Sequence, residues 1–331
     1  MIEELRPNLF RIEIPLPGSP LKYLNSYVVR SNDKNLIIDT GLNQKECLIA
    51  MHAGLQQIGV SLDRTDIFIT HLHADHFSLV SELATPDTTV WFNRPDAEIV
   101  ESWEGLEWMV AYSGRHGFPE DRLKAALDTH PGAKFGSGWI PELKILGDGA
   151  TINYGEYSFT CIETSGHTMG HTCLYEPDKK ILISGDHILI DITPNIQCWS
   201  DERNPLKEYL ESLEKVYDLD VDLVLPGHRR IFHDHRRRIR ELQAHHRQRI
   251  AEVMEILLHA TLSAYDTASM MTWDLKADSW DAFPVAQQWF ATGEALAHLQ
   301  YLEKKGLIRR HTVDGIIRFS RNNSERIIKD V

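Results

Sequence analysis

The chain has 331 residues, 42% hydrophobic and 25% charged, with a formal net charge of −13. That content supports one large core or two unequal domains and excludes a disordered or low-complexity chain. No run of 18 apolar residues occurs, which excludes a membrane-spanning helix, and the acidic balance argues against a general polyanion binder, since phosphate contacts draw most of their affinity from Lys and Arg.

The first twenty positions, MIEELRPNLFRIEIPLPGSP, carry acids and prolines where a signal peptide would carry a basic and then an apolar region, so the sequence predicts a cytoplasmic protein. Three short β-like runs follow, LFRIEI, LNSYVVR and NLIIDT, the last stopping at Gly41. The segment QKECLIAMHAGLQQIG then places Leu48, Met51, Leu55 and Ile58 on one helical face, and DIFIT at 66–70 reads as the next strand. That β-α-β unit ends in ITHLHADHFS, which puts His71, His73, Asp75 and His76 into six positions. In layered α/β folds, ligands gather beyond the carboxyl ends of strands, and this turn sits in such a place.

Residues 94–140 change character to helical segments rich in tryptophan and glycine. Trp103, Trp108, Met109 and Tyr112 fall at helical spacings near Gly105, Gly114 and Gly117. They suit either plain core or a shifting apolar substrate wall. A second strand series follows, KIL, YSFTCIET, HTCLYE and KILISGD, then a helix at 205–218 and the strand VDLVLPGH. Two strand-rich halves separated by helices predict a four-layer αββα sandwich, an α+β fold. After residue 235 come a long helix with Asp234 as its N-cap, a short helix in SAYDTASMM, and a helix–strand–turn–strand run through Gly306 and a D-G turn. The last run is a winged-helix-like pattern, which sets domains of 1–235 and 236–331 with 94–140 as an insertion.

Cys47, Cys161, Cys173 and Cys198 lie far apart with no C-x-x-C, so reduced thiols are predicted over disulfides or a thiolate zinc knuckle. Nitrogen and oxygen donors are abundant instead. His167 in ETSGHTMGH, Asp186 in LISGDH and His228 in LPGHRR each end a β-like run in a Gly-containing turn. With the histidine-rich turn, seven imidazoles and carboxylates can meet at one rim. Such donors without thiolate suit a borderline divalent ion such as zinc, with manganese or iron less favoured. No Ser-His-Asp or Cys-His arrangement competes at these positions. His187, His233 and His235 read as structural.

These four separated motifs, in this order, resemble the metallo-β-lactamase fold superfamily, in its glyoxalase II-like form. The resemblance implies that His71, His73 and His167 hold a first ion, that Asp75, His76 and His228 hold a second, and that Asp186 bridges them. Asp39 in IIDTG matches an aspartate that supports the ligands in that family. The third-site residue is Asp186 where antibiotic-degrading zinc enzymes carry cysteine, and His73 stands where flavodiiron oxygen reductases carry glutamate, so the pattern looks like the glyoxalase II, lactonase and ribonuclease branches. With its winged-helix-like tail the chain is similar, over most of both domains, to the β-lactamase-like protein 2 subgroup, linked to hydrolase and single-strand endoribonuclease activity.

Two cations about 3.5 Å apart bring the pKa of a shared water towards neutrality and polarise the attacked oxygen. Asp75 would orient that hydroxide and relay its proton. The reading is therefore a dinuclear zinc hydrolase using a metal-bridging hydroxide on an ester, thioester or lactone, with a small-molecule acyl substrate. The alternatives are a metal-dependent endoribonuclease or phosphodiesterase, and a winged-helix regulator with a structural metal site. Charge disfavours nucleic acid: residues 236–331 hold 15 Lys and Arg against 12 Asp and Glu, a weak balance even with Arg309, Arg310 and Arg318 on the wing. Packing or homodimerisation is the expected role of this tail.

Overall fold

The computed structural model describes residues 1–102, 107–127, 140–274 and 277–322. They form two compact units, the first from Met1–Trp103, Lys134–Pro194 and Ser212–Arg238, the second from Glu104–Ala133, Asn195–Glu211 and Ile239–Val331.

The first unit holds two sheets. The larger runs in order β1 (Ile2–Arg6), β2 (Leu9–Pro15), β3 (Tyr23–Val29), β4 (Asn35–Ile38), β5 (Thr65–Phe68), β6 (Val90–Phe92), β7 (Leu143–Ile145). Its first four strands pair antiparallel and its last four parallel. The second is β12-β11-β10-β9-β8, from β8 (Thr151–Tyr154), β9 (Tyr157–Glu163), β10 (Thr172–Glu176), β11 (Ile181–Gly185) and β12 (Leu223–Pro226), with only β11 and β12 parallel.

Strand alternation explains the layers. Leu36, Ile38 and Phe68 point into the core shared with Phe159, Leu174, Ile183 and Leu225 of the other sheet. Ile37, Ile67 and Ile69 point the opposite way, among Cys47, Met51 and Leu55 of α1 (Lys45–Gln57) and the short helices α2 (Ala74–Phe77) and α3 (Val80–Leu83). Ala97 of α4 (Arg94–Glu101) joins that layer. The result is an α+β sandwich of facing sheets, with α1 to α4 on the outer face of the larger one.

Two parallel pairs bring the functional loops to one rim. β4 and β5 are parallel, so Asp39 and the 69–76 turn leave the same sheet edge, and β11 and β12 deliver Asp186 and His228 in the same way. The Thr172 amide donates to the Thr70 carbonyl at 2.9 Å and the Asn25 amide to the Gly227 carbonyl at 2.7 Å, which locks the two sheets together there.

The second unit contains α5 (Glu107–Arg115), α6 (Glu120–Leu127), the first half of α7 (Pro205–Tyr217), most of α8 (His235–Ile256), α9 (Ala264–Met270), α10 (Val285–Lys304) and the hairpin β13 (Ile308–Val313) to β14 (Ile316–Arg321). Val110, Phe118, Leu123 and Trp289 form one of its cores. Ser263 and Asp266 make a reciprocal capping box at the start of α9. Asp314 and Gly315, both at positive φ, make the two-residue hairpin turn expected of a D-G pair.

Candidate metal centre

The histidine-rich turn is held by the residue that ends β4. Asp39 adopts a φ of 60°, which turns its carboxylate back over the next strand end. Its Oδ1 accepts the Thr70 amide at 2.8 Å, and its Oδ2 accepts the Thr70 hydroxyl at 2.8 Å and lies 2.8 Å from His76 Nδ1. Thr40 donates both its amide and its hydroxyl to the His76 carbonyl at 2.8 Å.

These bonds decide the tautomers. The Thr70 hydroxyl proton is spent on Asp39, so its oxygen accepts from His71 Nδ1 at 3.0 Å and leaves His71 Nε2 as a lone pair. His76 gives its Nδ1 proton to Asp39, and His228 gives its own to the Tyr23 carbonyl at 2.9 Å. In the neutral rings their Nε2 lone pairs then face each other at 3.3 Å, with Asp75 Oδ2 at 3.2 Å from His228 Nε2.

The donors fall into overlapping groups. His71, His73 and His167 form one, His71, His76 and Asp186 a second, and Asp75, His76 and His228 a third, with ligand atoms in each group within 4.8 Å of one another. His73 Nδ1 has the Nε2 atoms of His71 and His167 at 3.1 and 3.0 Å, and one proton cannot serve both. Asp186 spans the array: its Oδ2 is 3.7 Å from His167 and 3.6 Å from His228, and its Oδ1 is 3.6 Å from His76. That Oδ1 is buried and accepts no hydrogen bond from the described residues. Converging lone pairs around a carboxylate oxygen that lacks a donor repel one another unless a cation lies among them, so the donor set fits divalent metal. Gly227 leaves the room, because a Cβ there would stand 2.6 Å from Asp186 Oδ1 and 2.7 Å from His76 Cε1.

Electrostatics divide the imidazoles into two pairs. Burial, then the imidazoles of His76 and His73, holds His71 well below the ordinary histidine value, and burial together with His167 brings His73 to about 3. Both are therefore neutral, the form that binds metal. Burial opposes charge on His76 and His228, but the carboxylates of Asp39 and Asp186 for the first, and of Asp186 and Asp75 for the second, outweigh it and raise both pKa values, so each inward Nε2 draws a cation, a proton when no metal is bound. For Asp186, burial favours the neutral acid, and His228, His76 and His167 overcome it and keep the carboxylate ionised. Asp75 is likewise lowered, by its bond to His228 against its own burial.

All seven side chains read from the sequence as ligands thus lie in one cluster, with Asp39 directly behind it. His187, His233 and His235 lie outside the converging groups of the described residues. His171 is a residue that sequence reasoning passed over. It is fully buried, its Nε2 accepts the Asp186 amide at 3.1 Å, and its Nδ1 proton goes to Thr164 Oγ1 at 2.7 Å. It fixes the backbone that presents Asp186, and the only signal for it was its place at the end of GHTMGH. Of the aromatic positions, Trp103 lies outside the described residues. In the second unit Trp108 keeps 44% of its surface exposed, Met109 packs on the Val110 and Trp289 core, and Tyr112 is buried with its hydroxyl 3.7 Å from Cys198 Sγ.

Residues 21–228 match the family described as Metallo-beta-lactamase superfamily, and residues 250–322 match Metallo-beta-lactamase-like, C-terminal domain. A Drosophila melanogaster protein named beta-lactamase-like protein 2 homolog is 27% identical over 300 residues, 87% of this chain and 85% of that one. The human protein named acyl-coenzyme A thioesterase MBLAC2 is 26% identical over 222 residues, 62% of this chain and 72% of its own. Among solved structures, a beta-lactamase domain protein from Burkholderia ambifaria superposes with a TM-score of 0.85 at 26% identity, over 97% of this chain and 94% of that one.

Proposed function

Because the chain belongs to the metallo-beta-lactamase superfamily, and is accordingly a hydrolase, we propose that it cleaves the thioester of an acyl-coenzyme A at a site holding two divalent ions, with zinc as the metal. His71, His73 and His167 would hold one ion, Asp75, His76 and His228 the other, and Asp186 would reach both. The observation that carries this reading is the convergence of imidazole nitrogens on Asp186, whose buried Oδ1 has no hydrogen-bond donor among the described residues. When bound, the two ions would supply a water acidified towards neutrality and a Lewis acid for the attacked carbonyl oxygen.

The chain's own residues divide the remaining work. Asp75 is 23% exposed at its side chain, against 9% for Asp186, and it is held ionised beside His228. In this reading it would take the proton of the attacking water and pass it to the departing sulfur, so that thioester and water leave as carboxylic acid and thiol. Asp39 and Thr70 keep His71 and His76 in the tautomers that direct Nε2 inward. The thioester preference rests on the relatives named acyl-coenzyme A thioesterases, since metal ligands alone do not distinguish one acyl group from another.

The test is a side-by-side assay of the purified chain on acyl-coenzyme A esters, lactones and single-stranded RNA, with elemental analysis of the same protein. Two ions per chain and thioester turnover, lost by at least 100-fold in Asp186→Ala, are the expected results. One ion or none in protein never exposed to chelator would end the dinuclear reading, and turnover confined to RNA would end the thioester one.

A further inference from the structure

We propose that Asp96 is a positioning residue for the metal centre, a single carboxylate that sets the spacing of His71, His73 and His167. The inference rests on the two-metal reading above and assigns a role to a residue that lies outside every motif.

Asp96 occupies the third position of α4, after its N-cap Asn93, and is fully buried. Its Oδ2 accepts the Leu72 amide at 2.9 Å and the Thr168 hydroxyl at 2.7 Å, and its Oδ1 accepts the Gly170 amide at 2.6 Å. Leu72 stands between His71 and His73, and its held N–H belongs to the peptide bond that follows His71. Thr168 follows His167, the third. One rigid carboxylate at the start of a helix therefore ties the 71–73 turn to the 164–171 loop, two segments nearly a hundred residues apart. Displacement of the Leu72 backbone would move the chain that carries both flanking histidines. The approach is close enough to demand glycine at 170, where a Cβ would stand 2.7 Å from the Asp96 amide nitrogen and 2.9 Å from its Cβ.

A buried carboxylate is tolerated where several donors satisfy it, and the first turn of a helix favours its charge. All three contacts named are donors, which makes the chemistry at this position exacting. Asparagine has the same shape but only one acceptor oxygen, so its NH2 group would oppose either the Leu72 or the Gly170 amide, and neither amide can reverse its role. The Thr168 hydroxyl can. Asp39 plays the corresponding part for Thr70 and His76, so two carboxylates grip the ligand turn from two sides.

Asp96→Asn is expected to weaken one of the two sites by about 10- to 100-fold, as loss of an outer hydrogen-bond partner does elsewhere. The site affected should be that of His71, His73 and His167, with the Asp75, His76 and His228 site retained. Cobalt alone, titrated into chelator-treated protein and followed by visible absorption and by competition with a chromophoric chelator, reads the two sites separately. Thr168→Val removes one donor and should give a smaller loss at the same site, reversed in Thr168→Ser. This series stands in if Asp96→Asn does not fold. If the unaltered chain binds two cobalt ions and folded Asp96→Asn binds both with unaltered affinity, the positioning role is refuted. So it is if Thr168→Val and Thr168→Ser both match the parent. An unaltered chain that binds no cobalt would instead overturn the two-metal reading itself.

Discussion

His76 and His228 illustrate how one residue's neighbours decide its chemistry. Each spends its Nδ1 proton on an oxygen behind it, Asp39 for the first and the Tyr23 carbonyl for the second, and so turns a lone pair inward. Histidine in a turn is ordinarily a satisfied side chain; here only the Nδ1 of each ring is committed before any ligand arrives. The smallest residue at the rim matters equally. Gly227 has Asp186 Oδ1 and His76 Cε1 where its Cβ would stand, and the neighbours are short, buried groups that cannot swing aside. Gly227→Ala is therefore expected to leave a folded chain that holds fewer than two ions, with affinity lowered about 10- to 100-fold at the crowded site. Elemental analysis beside a thermal melt checks this, and a variant carrying two ions at parental affinity would show that the rim relaxes freely.

At the scale of elements, α5 separates two roles that composition left together. Val110 and Tyr112 are buried, Tyr112 against the His116 ring at 4.8 Å, while Trp108 remains the exposed aromatic of the helix. Tyr112→Ala should behave as a core truncation, costing about 3–5 kcal/mol and lowering Tm. Trp108→Ala should alter stability by no more than about 0.5 kcal/mol. If this helix contributes to acyl selection, as its apolar composition suggests, Trp108→Ala should raise KM for a long-chain thioester more than for an acetyl one, by about 5- to 100-fold. Equal effects on both substrates would remove Trp108 from selection. Among strands, β7 reads in sequence as the first member of the later series, yet it pairs parallel with β6 in the larger sheet. β1, with Glu3 and Glu4, and the three-residue β6 leave little periodicity to read. Membership of a sheet depends on a partner strand, which local alternation does not name.

For the whole molecule, charge sets the expectation for partners. The net −13 is joined by internal use of the basic residues: Arg310 pairs with Asp201 at 2.9 Å and Glu303 at 2.9 Å, and Arg318 pairs with Asp266 at 3.1 Å. Guanidinium groups engaged in this way are poor counterions for a phosphate backbone. Retention of single-stranded RNA should accordingly be weak at low salt and show little slope as salt rises. A steep slope, abolished by replacing Arg309, Arg310 and Arg318, would restore the nucleic-acid reading of the C-terminal segment. Among the described residues no helix is long and apolar enough to cross a membrane.

The local pattern of the chain determined a good deal by itself. Alternation and helical spacing marked β4, α1 and β5, and strand-end turns carrying His71, His73, Asp75, His76, His167, Asp186 and His228 marked the cluster, because the folding of parallel strands brings their carboxyl ends to one edge whatever fills the layers. Asp39 was legible only through its resemblance to a family motif. What tertiary structure alone decided is the pairing between distant segments: His171 against the Asp186 amide, Asp96 against Leu72, Thr168 and Gly170, and the facing lone pairs of His76 and His228. In sequence Asp96 is an ordinary acid in a helix's first turn, and nothing near it repeats or alternates to mark it. A hydrogen bond between segments tens of residues apart depends on where two loops meet, and the packing of the two sheets sets that meeting point.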